Sequence, residues 1–262
     1  AERAASSAEW AALRVVGERC FRELYDPFYD PETGLYRGQA SFIDVPFDTP
    51  RYQANGYPAG WGIADALLQK ATSTNALYVH ALRLMARAAA ETGDGVESGR
   101  WAARADALAG AMRDRLRRPD GVFEMYLDRH NRPAGRVEAL GTGLAVLLGV
   151  VEGDAARAAV AALPVTAMGV PLFAPFYPGD SSYHNHSSWP FVDAFFLLAR
   201  ARATGRDETG RILALTARVC RDARGFRELV DFRTGEPKGS ASQLWTAAAF
   251  LGAALKGEER TA

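Results

Sequence analysis

The 262 residues are 48% hydrophobic and 24% charged, enough apolar material for a sizeable core in one large domain. Lys and Arg number 31 and so do Asp and Glu, so no net field gathers nucleic acid or an anionic membrane surface, and the expected partner is a neutral or small molecule. No run of about eighteen apolar residues argues for a membrane span, and the two cysteines, Cys20 and Cys220, lack the spacing of a metal site or a disulfide framework.

Taken in chain order, apolar residues three and four apart predict helices over roughly 7–25, 75–92, 97–117, 137–151, 154–163, 188–204, 206–223 and 241–256. Leu77, Ala81, Leu84 and Met85 carry the period in the second of these. Between the helices fall turn-rich pieces at 29–38, 119–135 and 230–239, whose Asp-Gly, Thr-Gly and Pro signals predict tight β-hairpins at helix ends. Long strands do not alternate with the helices, so a doubly wound sheet is disfavoured. The expectation is an all-α chain, one domain over 1–262, with paired helices set in a ring.

An internal repeat supports the ring. Phe21-Arg22-Glu23-Leu24 recurs as Phe226-Arg227-Glu228-Leu229, and the segment from Asp30 through Thr33, Gly34, Arg37 and Gly38 recurs from Asp231 through Thr234, Gly235, Lys238 and Gly239. A helix end followed by a DxxTGxx[RK]GxAS hairpin reads as one module used more than once. Shared turn chemistry, with Asp accepting from backbone N–H groups and Gly supplying positive φ, is the plainer account of the same pattern.

Four polar, aromatic segments lie where the helices break off: 41–61, 181–190, 226–231 and 240–245. Arg51, Tyr57, Trp61, Asn75, Tyr183, His184, Asn185, His186, Trp189, Gln243 and Trp245 are the candidates for holding a sugar, with aromatic faces for C–H surfaces and planar polar groups for hydroxyls. The aromatics among them are equally at home as core residues at helix starts. Splitting a glycosidic bond needs two carboxyl groups, and Asp44 and Glu228 are the preferred pair, each beside aromatic or arginine residues at an end of the repeated module. Asp44 also reads as a turn aspartate, and Glu228 as an ion-pair partner of an arginine, the role assigned to Glu23. Arg227 beside Glu228 is expected to keep it ionised. His184 and His186 lack a third ligand at helical spacing, so no metal or other cofactor is expected. Glu124, Asp128 and His130 read as a solvated loop, and Glu138 as a helix cap.

Thr74-Asn75-Ala76-Leu77-Tyr78, the segment 164–171, Tyr183-His184-Asn185-His186 running on to Trp189-Pro190-Phe191, and Gln243-Leu244-Trp245-Thr246-Ala247-Ala248 resemble the six-hairpin glycosidases, the glycogen-debranching-like and family 63 and 37 (trehalase-like) glycoside hydrolases. The resemblance covers roughly residues 20–256 and implies an (α/α)6 barrel with a funnel at one end. It implies inverting hydrolysis of an α-linked sugar, with the Asp of Ser-Phe-Ile-Asp44 as general acid and the Glu of Phe-Arg-Glu228 as general base. Relatives follow the acid with Trp, whereas Val45-Pro46-Phe47 follows here, which makes Asp48 the alternative acid. About eight helices are predicted where six pairs are expected, so the ring is expected to be open, lacking an N-terminal portion or completed by a second copy. The chain starts at Ala1, which fits a removed signal peptide, a trimmed chain or a piece of something longer, and leaves the compartment open. Two further readings stand beside hydrolysis: a polysaccharide lyase on a similar toroid using Tyr183 or His184 as base, with Arg51 or Arg227 neutralising a uronate, and a toroid that binds carbohydrate or packs on a partner without catalysis.

Overall fold

A computed structural model describes residues 6–43, 56–179, 183–220 and 225–259. The first helix, α1 (Ser7–Cys20), starts where a capping box forces it to: Ser6 Oγ accepts from the Glu9 N–H at 3.3 Å and Glu9 Oε2 accepts from the Ser6 N–H at 2.7 Å. It continues into one π-turn, Phe21–Tyr25, and stops at a 3-10 turn holding Pro27. There follow α2 (Ile63–Leu68), α3 (Thr72–Glu91), α4 (Gly95–Arg115), α5 (Ala139–Leu147), α6 (Gly153–Ala161), α7 (Pro190–Thr204), α8 (Thr209–Arg218) and α9 (Leu244–Glu259). Eight of the nine correspond to predicted segments. The short α2 was not expected, being a single amphipathic turn and a half that no period detects.

The helices are layered as an α/α toroid. Consecutive inner helices pack α3 on α5, α5 on α7 and α7 on α9, while α1 and α4 lie outside α3, α6 outside α5 and α7, and α8 outside α7 and α9. Burial follows the layers. Every residue from Ala139 to Val146 of α5 is buried, whereas α1 buries none of its own. Gly143 lets α5 and α7 approach closely, since a Cβ there would stand 3.3 Å from the Phe196 Cα. One continuous core runs from Phe21 to Leu229, with Phe196, Phe173 and Met112 fully enclosed.

Short strands form a collar at the ends from which the inner helices start. β3 (Lys70–Ala71) leads into α3 and pairs with β4 (Tyr126–Leu127); β5 (Val137–Glu138) leads into α5 and pairs with β6 (Phe173–Ala174); β7 (Ser187–Ser188) precedes α7 and joins β8 (Leu229–Asp231) and β9 (Pro237–Lys238) in a three-stranded sheet. The remaining pair, β1 (Tyr29–Asp30) with β2 (Leu35–Tyr36), is the first predicted hairpin. All pairs are antiparallel.

The repeat is real in its hairpins and different in its FREL segments. Tyr29 faces Tyr36 in the first hairpin and Val230 faces Pro237 in the last, the same register around Asp30 and Asp231. Each aspartate carbonyl accepts from the turn glycine, Gly34 or Gly235, at 2.8 Å, and each carboxylate pairs with the cation seven residues on, Arg37 at 2.9 Å or Lys238 at 3.0 Å. By contrast Phe21–Leu24 lies in the π-turn, whereas Phe226–Glu228 lies outside any helix or strand and Leu229 begins β8. A third member of the set is the middle hairpin, where Asp128 takes the turn position and its carbonyl accepts from Asn131 at 2.9 Å.

The expected solvation of that middle hairpin is a misreading: Glu124 and Asp128 are buried, because the Arg132 side chain and the N–H groups of His130 and Arg132 replace water around Asp128.

Candidate active site

The middle and last hairpins share a hydrogen-bond pattern that sets Glu228 apart. In the middle hairpin the Glu124 N–H bonds to the Leu116 carbonyl at the end of α4 and the Met125 N–H to the Arg136 carbonyl; in the last hairpin the Arg227 N–H bonds to Val219 at the end of α8 and the Glu228 N–H to Ser240. Met125 and Glu228 therefore occupy one backbone place, three residues before the turn aspartate. Three residues before Asp30 in the first hairpin stands Pro27, which has no N–H to make this bond and lies in the 3-10 turn Asp26–Phe28. Only the last hairpin puts a carboxyl group there.

Glu228 is buried and held by three neutral donors. The Tyr183 hydroxyl and Gln243 Nε2 both donate to Oε1 at 3.0 Å, and the Ser240 N–H donates to Oε2 at 3.0 Å. Arg227 does not pair with it; its guanidinium turns to the Gly239 carbonyl at 3.4 Å, so the expected charge support from Arg227 is replaced by hydrogen bonds. The contrast with Glu124 is informative. That carboxylate takes the equivalent N–H, of Arg136, at 3.2 Å and pairs with Arg118 at 3.7 Å, which makes it a structural ion pair. Glu23 is another, exposed between Arg19 and Arg22, whose hydrogen bonds hold its carboxyl below the usual range.

Tyr183 joins Glu228 to an aromatic wall. Its ring meets His184 at 4.6 Å and Trp189 at 5.2 Å, and His184 lies stacked on Trp189 with planes 17° apart. Phe42 wedges edge-on against His184, Trp189 and Phe191, and Trp245 stacks on Phe191 at 4.7 Å. Of these rings Trp245 is the open one, 41% exposed at the start of α9 and two residues from Gln243. Phe42, which sequence reasoning passed over, has φ 61°, a left-handed conformation a bulky residue adopts only when its surroundings fix it. A second aromatic group stacks Trp61 on Tyr57 and sets both against Tyr126, whose hydroxyl bonds to that of Tyr177 at 2.8 Å under the Arg136 guanidinium.

The remaining candidates divide. Asn75 and Asn185 are fully buried with their amides spent on backbone, Asn75 on Tyr36 and Ala71, Asn185 on Tyr177 and Gly179, so they build the scaffold. Tyr57 is enclosed and its hydroxyl bonds to the Ile43 carbonyl and to Gln69, with burial pushing its pKa up. His186, at φ 49°, directs Nε2 to the Gly179 carbonyl and packs on Phe176, away from His184 on Trp189. Among the described residues no three His, Cys, Asp or Glu side chains gather as a metal would require, and both cysteines are free. Asp44, Asp48 and Arg51 lie outside the described residues. The Tyr183 hydroxyl, spent as a donor to Glu228, is not arranged as the base a lyase needs.

Two acids that sequence reasoning did not single out for chemistry are buried at the starts of α5 and α7. Glu138 is the N-cap residue of α5, where Ser73 and the Gly141 N–H lie toward its carboxyl outside good hydrogen-bond geometry, and burial outweighs both, raising its pKa to about 8. Asp193 accepts from the Val170 N–H and from Ser188 Oγ, each at 2.8 Å, and burial raises it to about 7.

The sequence profile described as the mannosylglycerate hydrolase MGH1-like glycoside hydrolase domain matches residues 46–246. Among curated proteins none matches. Solved structures share the fold at low identity. The neutral trehalase Nth1 of Saccharomyces cerevisiae matches with TM-score 0.69 and 12% identity over 93% of this chain and 56% of that one. A GH63 mannosylglycerate hydrolase of Thermus thermophilus in complex with Tris matches with TM-score 0.64 and 15% identity over 95% of this chain and 71% of that one. A GH78 rhamnosidase of Bacillus sp. GL1 matches with TM-score 0.59 and 20% identity over 95% of this chain, which spans only 24% of the rhamnosidase.

Proposed function

The chain belongs to the MGH1-like glycoside hydrolase family, and we propose that it hydrolyses an α-linked glycosidic bond with inversion, Glu228 acting as general base and Asp44 as general acid. The observation that carries the proposal is the place of Glu228: of the two equivalent hairpin positions, Met125 and Glu228, one alone bears a carboxyl, and its donors are neutral. Neutral donors orient a carboxylate without neutralising it, which suits a base that must accept a proton. In the step proposed, a water molecule gives its proton to Glu228 and its oxygen bonds to the anomeric carbon. The glycosidic C–O bond breaks on the opposite face, and the departing oxygen takes the proton of Asp44. Trp245 and Trp61 offer ring faces to the sugar. The names of the matching proteins, mannosylglycerate hydrolase and trehalase, favour a small glycoside over a polymer. We take the described residues as one domain because the main core, Phe21 to Leu229, and the smaller cluster of Ala194, Leu197, Ile212, Leu215 and Ala253 meet on α7.

Glu228→Gln should abolish sugar release while leaving the thermal unfolding curve in place, as assayed on aryl α-glycosides and disaccharides with NMR of the first-formed anomer. Unchanged turnover would remove Glu228 from the mechanism, and a first product of retained configuration would remove inversion.

One observation favours a second reading, a toroid that packs on a partner without catalysis: Leu244, Leu251 and Leu255 of α9 and Val15 and Val16 of α1 are exposed. It predicts saturable sugar binding with no product in the same assay.

A further inference from the structure

Gly239 has φ +75° and ends the strand that faces Glu228. A Cβ built there would stand 2.3 Å from Glu228 Oε2, 2.7 Å from its Cβ and 3.1 Å from its Cδ. The first two are distances that real Cβ atoms essentially never show and the third is tight, so the glutamate side chain packs on a bare backbone. The equivalent glycine of the middle hairpin, Gly135, has φ +66° and nothing within 4 Å of its missing side chain. The turn glycine Gly235, in the same hairpin as Gly239, has φ +76° and faces the flexible end of Met168 instead.

We infer that Gly239 is a positioning residue for hydrolysis: the absence of a side chain at 239 fixes the Glu228 carboxylate so that Oε2 is the oxygen that accepts the proton of water. Four acceptor sites are shared between the two oxygens of a carboxylate. On Oε1 both are taken, by Tyr183 and Gln243, and on Oε2 one is taken, by the Ser240 N–H, which leaves a single open site among the described residues. A methyl group at 239 pushes Oε2 off this place, and with it the line from Oε2 through water to the anomeric carbon. A displacement of about 1 Å in a reacting group costs on the order of a hundredfold in rate. The inference rests on Glu228 being the base.

The three glycines supply the test, because alanine at each carries a similar backbone cost and only one of them touches Glu228. In the full chain, Gly239→Ala should lower kcat by about tenfold to a hundredfold with KM within about twofold, and shift the acid limb of the kcat/KM pH profile, which reports the base. Gly135→Ala and Gly235→Ala should leave both unchanged. Gly239→Asn, which accepts positive φ more readily, should behave as Gly239→Ala. Equal kcat and pH profiles in all the variants would overturn the inference while leaving Glu228→Gln to decide the reading beneath it. If both Gly239 variants fail to fold, Glu228→Gly/Gly239→Ala removes the collision and should restore a melting transition like that of Glu228→Gly alone. A double variant that stays unfolded would assign the loss to backbone strain and overturn the inference.

Discussion

Glu138 is a carboxyl group in a place that favours its neutral form. Its folded pKa of about 8 lies above the ordinary 4.5, so between these values the folded chain holds a proton that the unfolded chain has released. The sign follows: the contribution of Glu138 is complete below about pH 4.5, declines as pH rises, and is gone above about pH 8. Asp193, raised from 3.8 to about 7, acts in the same sense. Glu138→Gln, neutral at every pH, should flatten the fall of thermal stability between about pH 5 and 8 by up to about 1.4 kcal/mol per pH unit, and leave it more stable than the parent at pH 8. Parallel curves for parent and variant would show that Glu138 is charged in the fold. At this scale the sequence singled out Glu228 as a candidate through its neighbours but not what surrounds it. A carboxamide such as Asn75 or Asn185 looks the same in a sequence whether it faces a hydroxyl or a carbonyl of its own backbone. Tyr183 and Gln243, expected to hold sugar, instead hold the carboxylate.

Among elements, the helices were legible because burial on one face imposes a period of 3.6, and the hairpins because positive φ demands glycine at Gly34, Gly235 and Gly239. The π-turn at Phe21–Tyr25 was not, since its residues keep helical spacing and only Pro27 beyond it marks the end. FREL illustrates the limit of matching letters: its first copy packs Phe21 at 5.1 Å from Trp101, and its second delivers Glu228 to the end of a strand. The link between α6 and α7 depends on a close approach of a different kind. Gly169, at φ +99°, leaves room for Asp193 and Ser188, and a Cβ there would stand 2.4 and 2.2 Å from their oxygens. Gly169→Ala should cost roughly 2–4 kcal/mol in urea unfolding, strain and a broken Ser188–Asp193 bond together; a cost under about 0.5 kcal/mol would show that this turn yields freely.

For the whole molecule, ring geometry was legible and closure was not, because a period describes one helix face and says nothing of what covers it. The series of packed helices runs from α1 to α9, and these two ends make no extensive contact among the described residues. Leu251 and Leu255 are more than half exposed on α9, as are Val15 and Val16 on α1. No helix among the described residues is long and apolar enough to cross a membrane. With 31 charges of each sign, the chain has little electrostatic repulsion between copies near neutrality. Solubility in polyethylene glycol should therefore pass through a minimum near neutral pH and rise on either side; a flat profile would mean that the apolar faces, not the balance of charge, govern association.

The middle and last hairpins have one more consequence, which concerns descent. A backbone that accepts Met125 or Glu228 at the same place does not need its carboxyl group at that residue, since in the middle hairpin Glu124 takes the equivalent N–H. Where Glu228 serves as the proposed base, its exchange removes turnover and keeps the hairpin, so a lineage built on this module can lose its chemistry in a single step and persist as a folded surface.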